Sequence, residues 1–215
     1  MSILPRKILP ELSAHIKQKQ ITVITGLRRT GKTTLVQKLL SDIDSKNKLY
    51  LDLQRPDIRE LFLEKNYDNI ILTLAKRGLD PRHKMYVALD EVQLAPESIG
   101  AIKYLYDHYD VKFIITGSSS YYLKNLFPES LAGRKIIFEM YPLDFEEFLI
   151  FKEENKERYQ KIKNKKNITE LDYKLYDRYY REFVEWGGFP EVVLTKDKDA
   201  KRKRLEDIFA SYYQQ

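Results

Sequence analysis

Short apolar runs rich in β-branched residues alternate with stretches of helical periodicity along the first two-thirds of the chain. Apolar runs of this length are typical of strands that are buried on both faces of a sheet. Five of them are predicted strands: Ile21–Thr25, Lys48–Leu53, Met85–Leu89, Lys112–Thr116 and Lys135–Glu139. Because helical segments separate them, the pattern predicts an α/β fold with a five-stranded, mostly parallel sheet and helices on both faces.

The segments between the predicted strands place apolar residues three and four positions apart. This spacing predicts helices over Thr33–Leu40 and from Ile99 to Tyr109, each with one buried face. A third helix is predicted over Ile70–Lys76, since the cations in its last turn, a glycine and a later proline are the expected stop signals.

The pattern changes after the fifth predicted strand. Asp144 followed by Glu147 predicts a capping box that begins a helix. A longer helix is predicted from about Leu171 to Trp186, ending at two glycines, and helical patterning returns near the end of the chain. Two helices and a tail do not readily form a core of their own. We therefore expect a core over residues 1–142 and, over residues 143–215, a small helical lid with the start of a C-terminal extension.

One loop matches the phosphate-binding loop (P-loop) pattern in full, with the sequence Gly26-Leu27-Arg28-Arg29-Thr30-Gly31-Lys32-Thr33. It directly follows a predicted strand and directly precedes a predicted helix, which is the context this pattern needs. Gly26 and Gly31 allow the backbone to wrap a phosphate with its N–H groups inward, and the next helix adds the positive end of its dipole. Lys32 supplies a cation to the β- and γ-phosphates, and the Thr33 hydroxyl binds Mg²⁺. The loop, together with Thr34, is therefore predicted to bind ATP with Mg²⁺.

A pair of acids, Asp90 and Glu91, follows the apolar run Met85–Leu89. Carboxylates at the end of a buried strand are costly to desolvate unless something cationic is near. We expect Asp90 to hold the Mg²⁺, usually through water, and Glu91 to act as the general base on the attacking water. An acidic pair alone is a common loop feature, but the complete P-loop favours the catalytic interpretation.

Small hydroxyl residues end another predicted strand, where Thr116-Gly117-Ser118-Ser119 follows Phe113-Ile114-Ile115. The carboxyl ends of parallel strands line the ligand crevice, so a hydroxyl there can reach the γ-phosphate or the attacking water. The pattern does not choose between Thr116 and Ser118, and an ordinary strand-to-loop turn is the alternative.

Six motifs occur in one order along the chain: Gly-Leu-Arg-Arg-Thr-Gly-Lys-Thr-Thr-Leu, Leu-Asp-Glu-Val-Gln, Thr-Gly-Ser-Ser-Ser, Leu-Ala-Gly-Arg, Tyr-Pro-Leu-Asp-Phe-Glu-Glu-Phe and Gly-Gly-Phe-Pro-Glu. From about Leu4 to Tyr213 the chain resembles the prokaryotic AAA-type ATPases of the AAA+ superfamily, whose longer members carry a C-terminal nuclease-like domain of unknown function. The resemblance implies the order of an AAA+ core: P-loop, acidic strand, sensor strand, arginine and lid.

The resemblance also implies two further site residues. Arg134 matches the family's arginine before the last core strand, a position that resembles an arginine finger acting on a neighbour's ATP. A structural arginine paired with a carboxylate of its own subunit is the equal alternative. Gly187-Gly188-Phe189-Pro190 resembles the glycine-proline motif with which related ATPases bring the lid onto the adenine, although a helix stop explains it as well. The usual lid arginine of the second sensor and the aromatic-glycine pore loop have no clear counterpart here.

The net charge of +6 suggests acidic partners, of which ATP is one and DNA another. Much of the excess positive charge lies in two runs, Lys152–Lys166 and Lys201–Arg204. Such runs are usually solvated faces. The absence of cysteine excludes disulfides and thiolate metal sites. There is no apolar run of membrane-spanning length and no long apolar stretch at the N-terminus, so no membrane partner and a cytoplasmic location are expected.

The leading hypothesis is an Mg-ATP-binding and ATP-hydrolysing AAA+ switch that couples nucleotide state to an unidentified partner, with a homo-oligomer as one candidate assembly. A small-molecule kinase would need an arginine-rich lid and an acceptor pocket, and the Asp90-Glu91 pair with the downstream strand that ends in hydroxyl residues argues against it. A GTPase would need an Asn-Lys-x-Asp loop, which Asn164-Lys165-Lys166-Asn167 fails at its last residue. The remaining alternative is a nucleic-acid-binding nucleotide switch with slow hydrolysis, which the basic tail favours.

Overall fold

The computed structural model describes residues 4–118, 131–152, 164, 167 and 169–213. The chain divides into two compact units. The first, which we call the sheet unit, comprises residues 8–27 and 32–140. The second, the helical unit, comprises residues 1–7, 28–31 and 141–215, so it includes the four central residues of the P-loop.

The sheet unit contains five strands: β1 (Ile21–Thr25), β2 (Lys48–Asp52), β3 (Met85–Asp90), β4 (Val111–Gly117) and β5 (Lys135–Glu139). Their order across the sheet is β2-β3-β4-β1-β5, and all four pairings are parallel. The predicted parallel five-stranded sheet is therefore confirmed. Because the strands are parallel, their carboxyl ends lie at one edge, where the P-loop and the acidic pair begin.

Among its described residues, the sheet unit contains the helices α1 (Leu9–His15), α2 (Lys32–Asp42), α3 (Pro56–Glu60), α4 (Tyr67–Lys76) and α5 (Ser98–His108), with 3₁₀ turns at Leu61–Leu63 and Val92–Leu94. They cover both faces, as predicted. On one face, α3, α4 and α5 pack on strand residues such as Val87 and Phe113. On the other, α1 and α2 pack on Ala88 and Ile114. Neighbouring strand residues point to opposite faces, so both core clusters draw on the same strands.

The predicted bounds of β1 and β5 are confirmed, whereas β2 ends at Asp52, β3 includes Asp90 and β4 spans Val111–Gly117. Helix α5 ends at His108, so Tyr109, which was predicted to be helical, has extended backbone. Two short helices, α1 and α3, were not predicted. Each has a proline in its first turn, a residue more easily interpreted as a break than as a helix start.

The helical unit contains α6 (Phe145–Phe151), α7 (Glu170–Trp186), α8 (Pro190–Leu194) and α9 (Lys198–Tyr213) among its described residues. The predicted capping box is present, since the Asp144 side chain accepts from the Glu147 N–H at 2.9 Å and Glu147 accepts from the Asp144 N–H at 3.3 Å. Helix α7 ends at Gly187, whose φ is +72°. A Cβ on Gly188 would lie 2.1 Å from the Leu143 carbonyl oxygen. The two glycines thus serve different needs, a left-handed turn and a close backbone approach.

The buried guanidinium of Arg6 joins three segments of the helical unit. It donates to Glu147 Oε1 at 3.0 Å, to the Thr30 carbonyl at 2.8 Å and to the Tyr141 carbonyl at 2.7 Å. Glu147 is also buried, and removing one partner of such a pair leaves a buried charge without compensation. The pair therefore fixes the N-terminal segment and the centre of the P-loop against the start of α6.

Lys112, on β4, is a lysine whose side chain is buried in the sheet unit, with 1% of its surface exposed. Its ammonium group donates hydrogen bonds to the carbonyl oxygens of His15, at 3.0 Å, and Gln20. Burial, with a smaller contribution from the charge on Lys84, lowers the pKa of Lys112 from 10.5 to about 7.

We therefore expect Lys112 to impose a pH dependence on stability. Between pH 7 and 10.5 the unfolded lysine holds its proton and the folded lysine loses it, so the free energy of unfolding rises with pH in this window. The expected slope is about 1.4 kcal/mol per pH unit. Urea unfolding across the window should show that Lys112→Met loses this slope relative to wild type, while the exposed control Lys17→Met keeps it. An unchanged slope in Lys112→Met would contradict the assignment.

Candidate active site

The backbone of the P-loop is held in an unusual conformation at three positions. Gly26, Arg29 and Gly31 have φ values of +142°, +62° and +94°. At Gly26 a Cβ would also lie 2.1 Å from the Met140 carbonyl oxygen, so the position admits no side chain without a shift of the backbone. Left-handed residues interspersed along a loop are typical of concave backbone segments that bind anions.

Lys32 is the first residue of α2 and has 5% of its surface exposed. Its ammonium group donates to the carbonyl oxygens of Gly26, at 2.9 Å, and Leu27, at 2.8 Å. The cation thus lies against the first two residues of the P-loop. Contact of Lys32 with phosphate oxygens stays a prediction from the sequence motif.

Asp90 ends β3 and is buried, with 2% of its surface exposed. One carboxylate oxygen accepts from the Thr33 hydroxyl at 2.7 Å and from the Tyr50 hydroxyl at 2.6 Å, and the other accepts from the Thr116 hydroxyl. Burial first, and then the hydrogen bond to Asp90, raise the pKa of Tyr50. Thr33 and Asp90, the two predicted Mg²⁺ ligands, are therefore neighbours.

These two residues fit a magnesium ion by their chemistry. Mg²⁺ prefers oxygen ligands, and proteins commonly bind it through one or two carboxylates together with substrate phosphates. Within the described ranges there is no group of three or more His, Cys, Asp or Glu side chains arranged to hold a metal.

Glu91 follows directly, with left-handed backbone (φ +59°, ψ +49°). Its N–H donates to the Thr116 hydroxyl oxygen at 3.0 Å, and its carboxylate accepts from the Gln93 side-chain amide. The same amide nitrogen lies 3.1 Å from the Ser118 hydroxyl oxygen. Hydrogen bonds thus link both Thr116 and Ser118 to the acidic pair. Thr116 contacts Asp90 and the Glu91 backbone directly, and Ser118 is linked to Glu91 through Gln93.

Sequence reasoning missed two members of this cluster, Tyr50 and Gln93. Tyr50 lies in a predicted strand, but only the pairing of β2 with β3 brings it to Asp90. Gln93 is the last residue of the Leu-Asp-Glu-Val-Gln motif, and its place in that motif is the sequence signal that could have identified it as a site residue.

The remaining loop residues differ in exposure. Leu27, Arg29 and Thr34 are exposed, Arg28 is half-buried and Thr30 is buried. Within the helical unit, Arg29 forms an ion pair with Glu191 at 3.1 Å, and the Tyr212 hydroxyl donates to the Arg28 carbonyl at 3.2 Å. These contacts link the centre of the P-loop to α8 and α9.

Pro190 is the first residue of α8, a helix that the sequence did not predict. The residue after it, Glu191, forms ion pairs with Arg29 and with Arg204. The role of Pro190 at the adenine stays a prediction. What the structure adds next to Pro190 is the pair of contacts made by the Glu191 carboxylate.

Arg134 lies apart from this cluster, at the opposite end of the sheet. It immediately precedes β5, and its carbonyl accepts from the N–H of Ile21, the first residue of β1, at 2.7 Å. Its guanidinium binds both carboxylate oxygens of Asp107, at 2.8 and 3.2 Å. These hydrogen bonds raise the pKa of Arg134 and lower that of Asp107. The pairing agrees with the interpretation of Arg134 as a structural arginine of its own subunit.

A family model described as "AAA domain" matches residues 18–149, which is more than half of the chain. The chain belongs to the AAA domain family. The matched range includes residues 26–34, Asp90, Glu91, Thr116 and Ser118.

Two curated relatives of this AAA domain are uncharacterized proteins. One, from Methanocaldococcus jannaschii, is 30% identical over 198 residues, covering 92% of this chain and 42% of the relative. The other, from Haemophilus influenzae, is 28% identical over 196 residues, covering 89% of this chain and 44% of the relative. The chain therefore spans less than half the length of these relatives.

Solved structures agree with the fold of an AAA domain. The Walker-type ATPase of Pyrococcus abyssi superposes with a TM-score of 0.61 at 17% identity, covering 99% of this chain and 74% of that one. The ORC2 protein of Aeropyrum pernix in its ADP form gives a TM-score of 0.57 at 14% identity, covering 90% and 63%. At these identities the likeness establishes the P-loop NTPase fold. Among the described residues, no helix is long and apolar enough to cross a membrane.

Proposed function

We propose that this AAA domain binds Mg-ATP at residues 26–34 and hydrolyses it with Glu91 as the general base. One observation carries the proposal: Thr33 and Asp90, which are 57 positions apart in sequence, meet at 2.7 Å beside Glu91. Packing alone gives no reason for a hydroxyl in the first turn of α2 and two carboxylates at the end of β3 to lie together at one edge. A site for a metal-bound triphosphate accounts for all three residues.

Binding of the phosphates would use the loop and the start of α2. The N–H groups of the loop and the unsatisfied amides at the helix start face an anion favourably. Lys32, which donates to the carbonyl oxygens of the loop itself, would transfer hydrogen bonds to the β- and γ-phosphates. We assign Leu27, Arg28, Arg29, Thr30 and Thr34 to the same loop by their position in the motif.

Thr33 and Asp90 would hold the magnesium ion. When bound, Mg²⁺ would neutralise charge on the β- and γ-phosphate oxygens. Tyr50 and Thr116 support this role because their hydroxyls fix the rotamer of the Asp90 carboxylate.

Hydrolysis would begin with a water molecule placed between Glu91 and the γ-phosphorus. As the water oxygen attacks, its proton passes to the Glu91 carboxylate, the bond from the γ-phosphorus to the bridging oxygen breaks, and ADP leaves with that electron pair. The Thr116 hydroxyl already donates to Asp90 and accepts from the Glu91 N–H. Ser118 is therefore our candidate for the hydroxyl that contacts the γ-phosphate or the water.

The switch function is supported by contacts inside the helical unit. Arg29 in the P-loop pairs with Glu191, directly after Pro190, and Glu191 also binds Arg204 on α9. A phosphate that attracts Arg29 would compete with Glu191 for it. Nucleotide state would thereby reach α8 and α9, and through them a partner yet to be identified.

Nucleic-acid binding with slow hydrolysis is the second candidate. In the basic run Lys201–Arg204, Arg202 and Lys203 are exposed, whereas Lys201 is buried against Glu182 and Arg204 pairs with Glu191. Half of the run is thus engaged inside the unit, and most of the run Lys152–Lys166 lies outside the described residues. A salt titration of DNA binding tests this candidate: a steep slope supports DNA as a ligand, and no binding at low salt removes it.

Lys32→Ala should weaken ATP binding by about 100-fold, because the β- and γ-phosphates lose their main counter-charge. Titration with a fluorescent ATP analogue in the presence of Mg²⁺ measures the effect. Lys38→Ala, on the same helix, is the matched control and should bind like wild type. Equal affinity of wild type and Lys32→Ala would remove the P-loop assignment.

Glu91→Gln should leave Mg-ATP affinity nearly unchanged and slow hydrolysis by about 100-fold or more, since an amide cannot accept the proton of the water. Phosphate release under single-turnover conditions measures the rate. Glu97→Gln, an exposed carboxylate nearby in the chain, serves as the control. Turnover near the wild-type rate in Glu91→Gln would exclude Glu91 as the base.

Arg134→Ala should leave turnover within about twofold of wild type at every protein concentration, because its guanidinium is paired with Asp107 in the same subunit. Arg82→Ala removes a similar exposed pair with Asp80 and is the control. Mixing Arg134→Ala with Lys32→Ala tests the alternative. If the mixture regains activity that neither variant has alone, Arg134 acts in trans on a neighbour's ATP, and the domain works as an oligomer.

A further inference from the structure

The side chain of Gln93 lies between the proposed base and the end of β4. It belongs to the 3₁₀ turn Val92–Leu94, directly after the acidic pair. Its Nε2 donates to the Glu91 carboxylate and lies 3.1 Å from the Ser118 hydroxyl oxygen. Its Oε1 accepts from the Ser118 N–H at 3.3 Å.

These contacts fix the orientation of the Gln93 amide. A backbone N–H can only donate, so the atom that faces the Ser118 N–H must be the carbonyl oxygen. The NH₂ group must then point to the Glu91 carboxylate, which can only accept when ionised. The amide is therefore a directed bridge between Glu91 and Ser118.

The backbone of Glu91 is held more firmly than its side chain. Its backbone is left-handed, with φ at +59°, and the Thr116 hydroxyl already holds its N–H. The Glu91 side chain still has three rotatable bonds, and it is only partly buried. A base must lie within hydrogen-bond reach of the water in the correct direction, and errors of about 1 Å are costly in rate.

We propose that Gln93 is a positioning residue for Glu91, an inference that rests on the proposed function. Its amide holds the carboxylate in the direction of the attacking water and couples that direction to Ser118, the residue assigned to the γ-phosphate. Gln93 takes no proton in the reaction. Its contribution is to orient the group that does.

Gln93→Ala is therefore expected to lower kcat by about 10-fold while the affinity for Mg-ATP stays within about twofold of wild type. Gln18→Ala, an exposed glutamine after α1, is the matched control. Far-UV circular dichroism and retained ATP binding establish that the variant is folded.

Gln93→Glu separates the two ends of the bridge. It keeps the shape and an acceptor for the Ser118 N–H, but it cannot donate to Glu91 and places a second carboxylate beside it. Positioning of Glu91 predicts a loss of kcat at least as large as in Gln93→Ala. If Gln93 served only to anchor the Ser118 backbone, Gln93→Glu would hydrolyse ATP at nearly the wild-type rate, which would overturn the inference.

A double-mutant cycle gives the decisive comparison. If Gln93 acts through Glu91, adding Gln93→Ala to Glu91→Gln should slow the residual single-turnover rate by less than about twofold. A further 10-fold loss in that background would show an independent effect and overturn the inference.

Failure of the inference and failure of the proposed function give different results. No hydrolysis by the wild-type protein, in the presence of Mg-ATP binding, would contradict the proposed function and the inference with it. Hydrolysis that Glu91→Gln abolishes but Gln93→Ala and Gln93→Glu leave at the wild-type rate would overturn the inference alone.

Discussion

The buried carboxylate of Asp90 accepts hydrogen bonds from three hydroxyl groups, and these come from three different elements. Thr33 lies at the start of α2, Tyr50 on β2 and Thr116 on β4. The arrangement requires that β3 run beside both β2 and β4 in the same direction, as the parallel sheet provides. The start of α2 and the carboxyl ends of β2, β3 and β4 are thereby held to one point, and Glu91 follows from that point along the chain.

The donors to Asp90 are neutral hydroxyls, and this choice has a chemical consequence. A buried carboxylate needs partners, and an arginine or lysine at this distance would satisfy it by neutralising its charge. Hydroxyl groups satisfy the hydrogen bonds and leave the negative charge in place. The Thr33 hydroxyl can also rotate, so it can offer a lone pair to a metal instead of a proton to Asp90. The cluster therefore orients the carboxylate with neutral donors, an arrangement that suits the proposed magnesium site.

The parts of the site that the sequence predicts depend on interactions between near neighbours. The P-loop, the capping box at Asp144 and the bounds of β1 follow from spacing, turn chemistry and apolar runs within about ten residues. Tyr50 and Lys112 could not be predicted in the same way. Their partners come from elements distant in sequence, so their environment depends on strand order and on which face each side chain takes. Local patterns carry no information about either.

The position of Arg134 in the sheet restricts which nucleotide its guanidinium could reach. Its motif fits both an arginine finger and a structural arginine. The backbone bond to Ile21 places it at the amino edge of the sheet, whereas Asp90 and the P-loop lie at the carboxyl edge. A five-residue strand separates these edges by roughly 16 Å, which exceeds the length of an arginine side chain. Arg134 therefore cannot serve the nucleotide of its own subunit, and its pairing with Asp107 already gives it a structural role. Only a neighbouring molecule could give it a catalytic one.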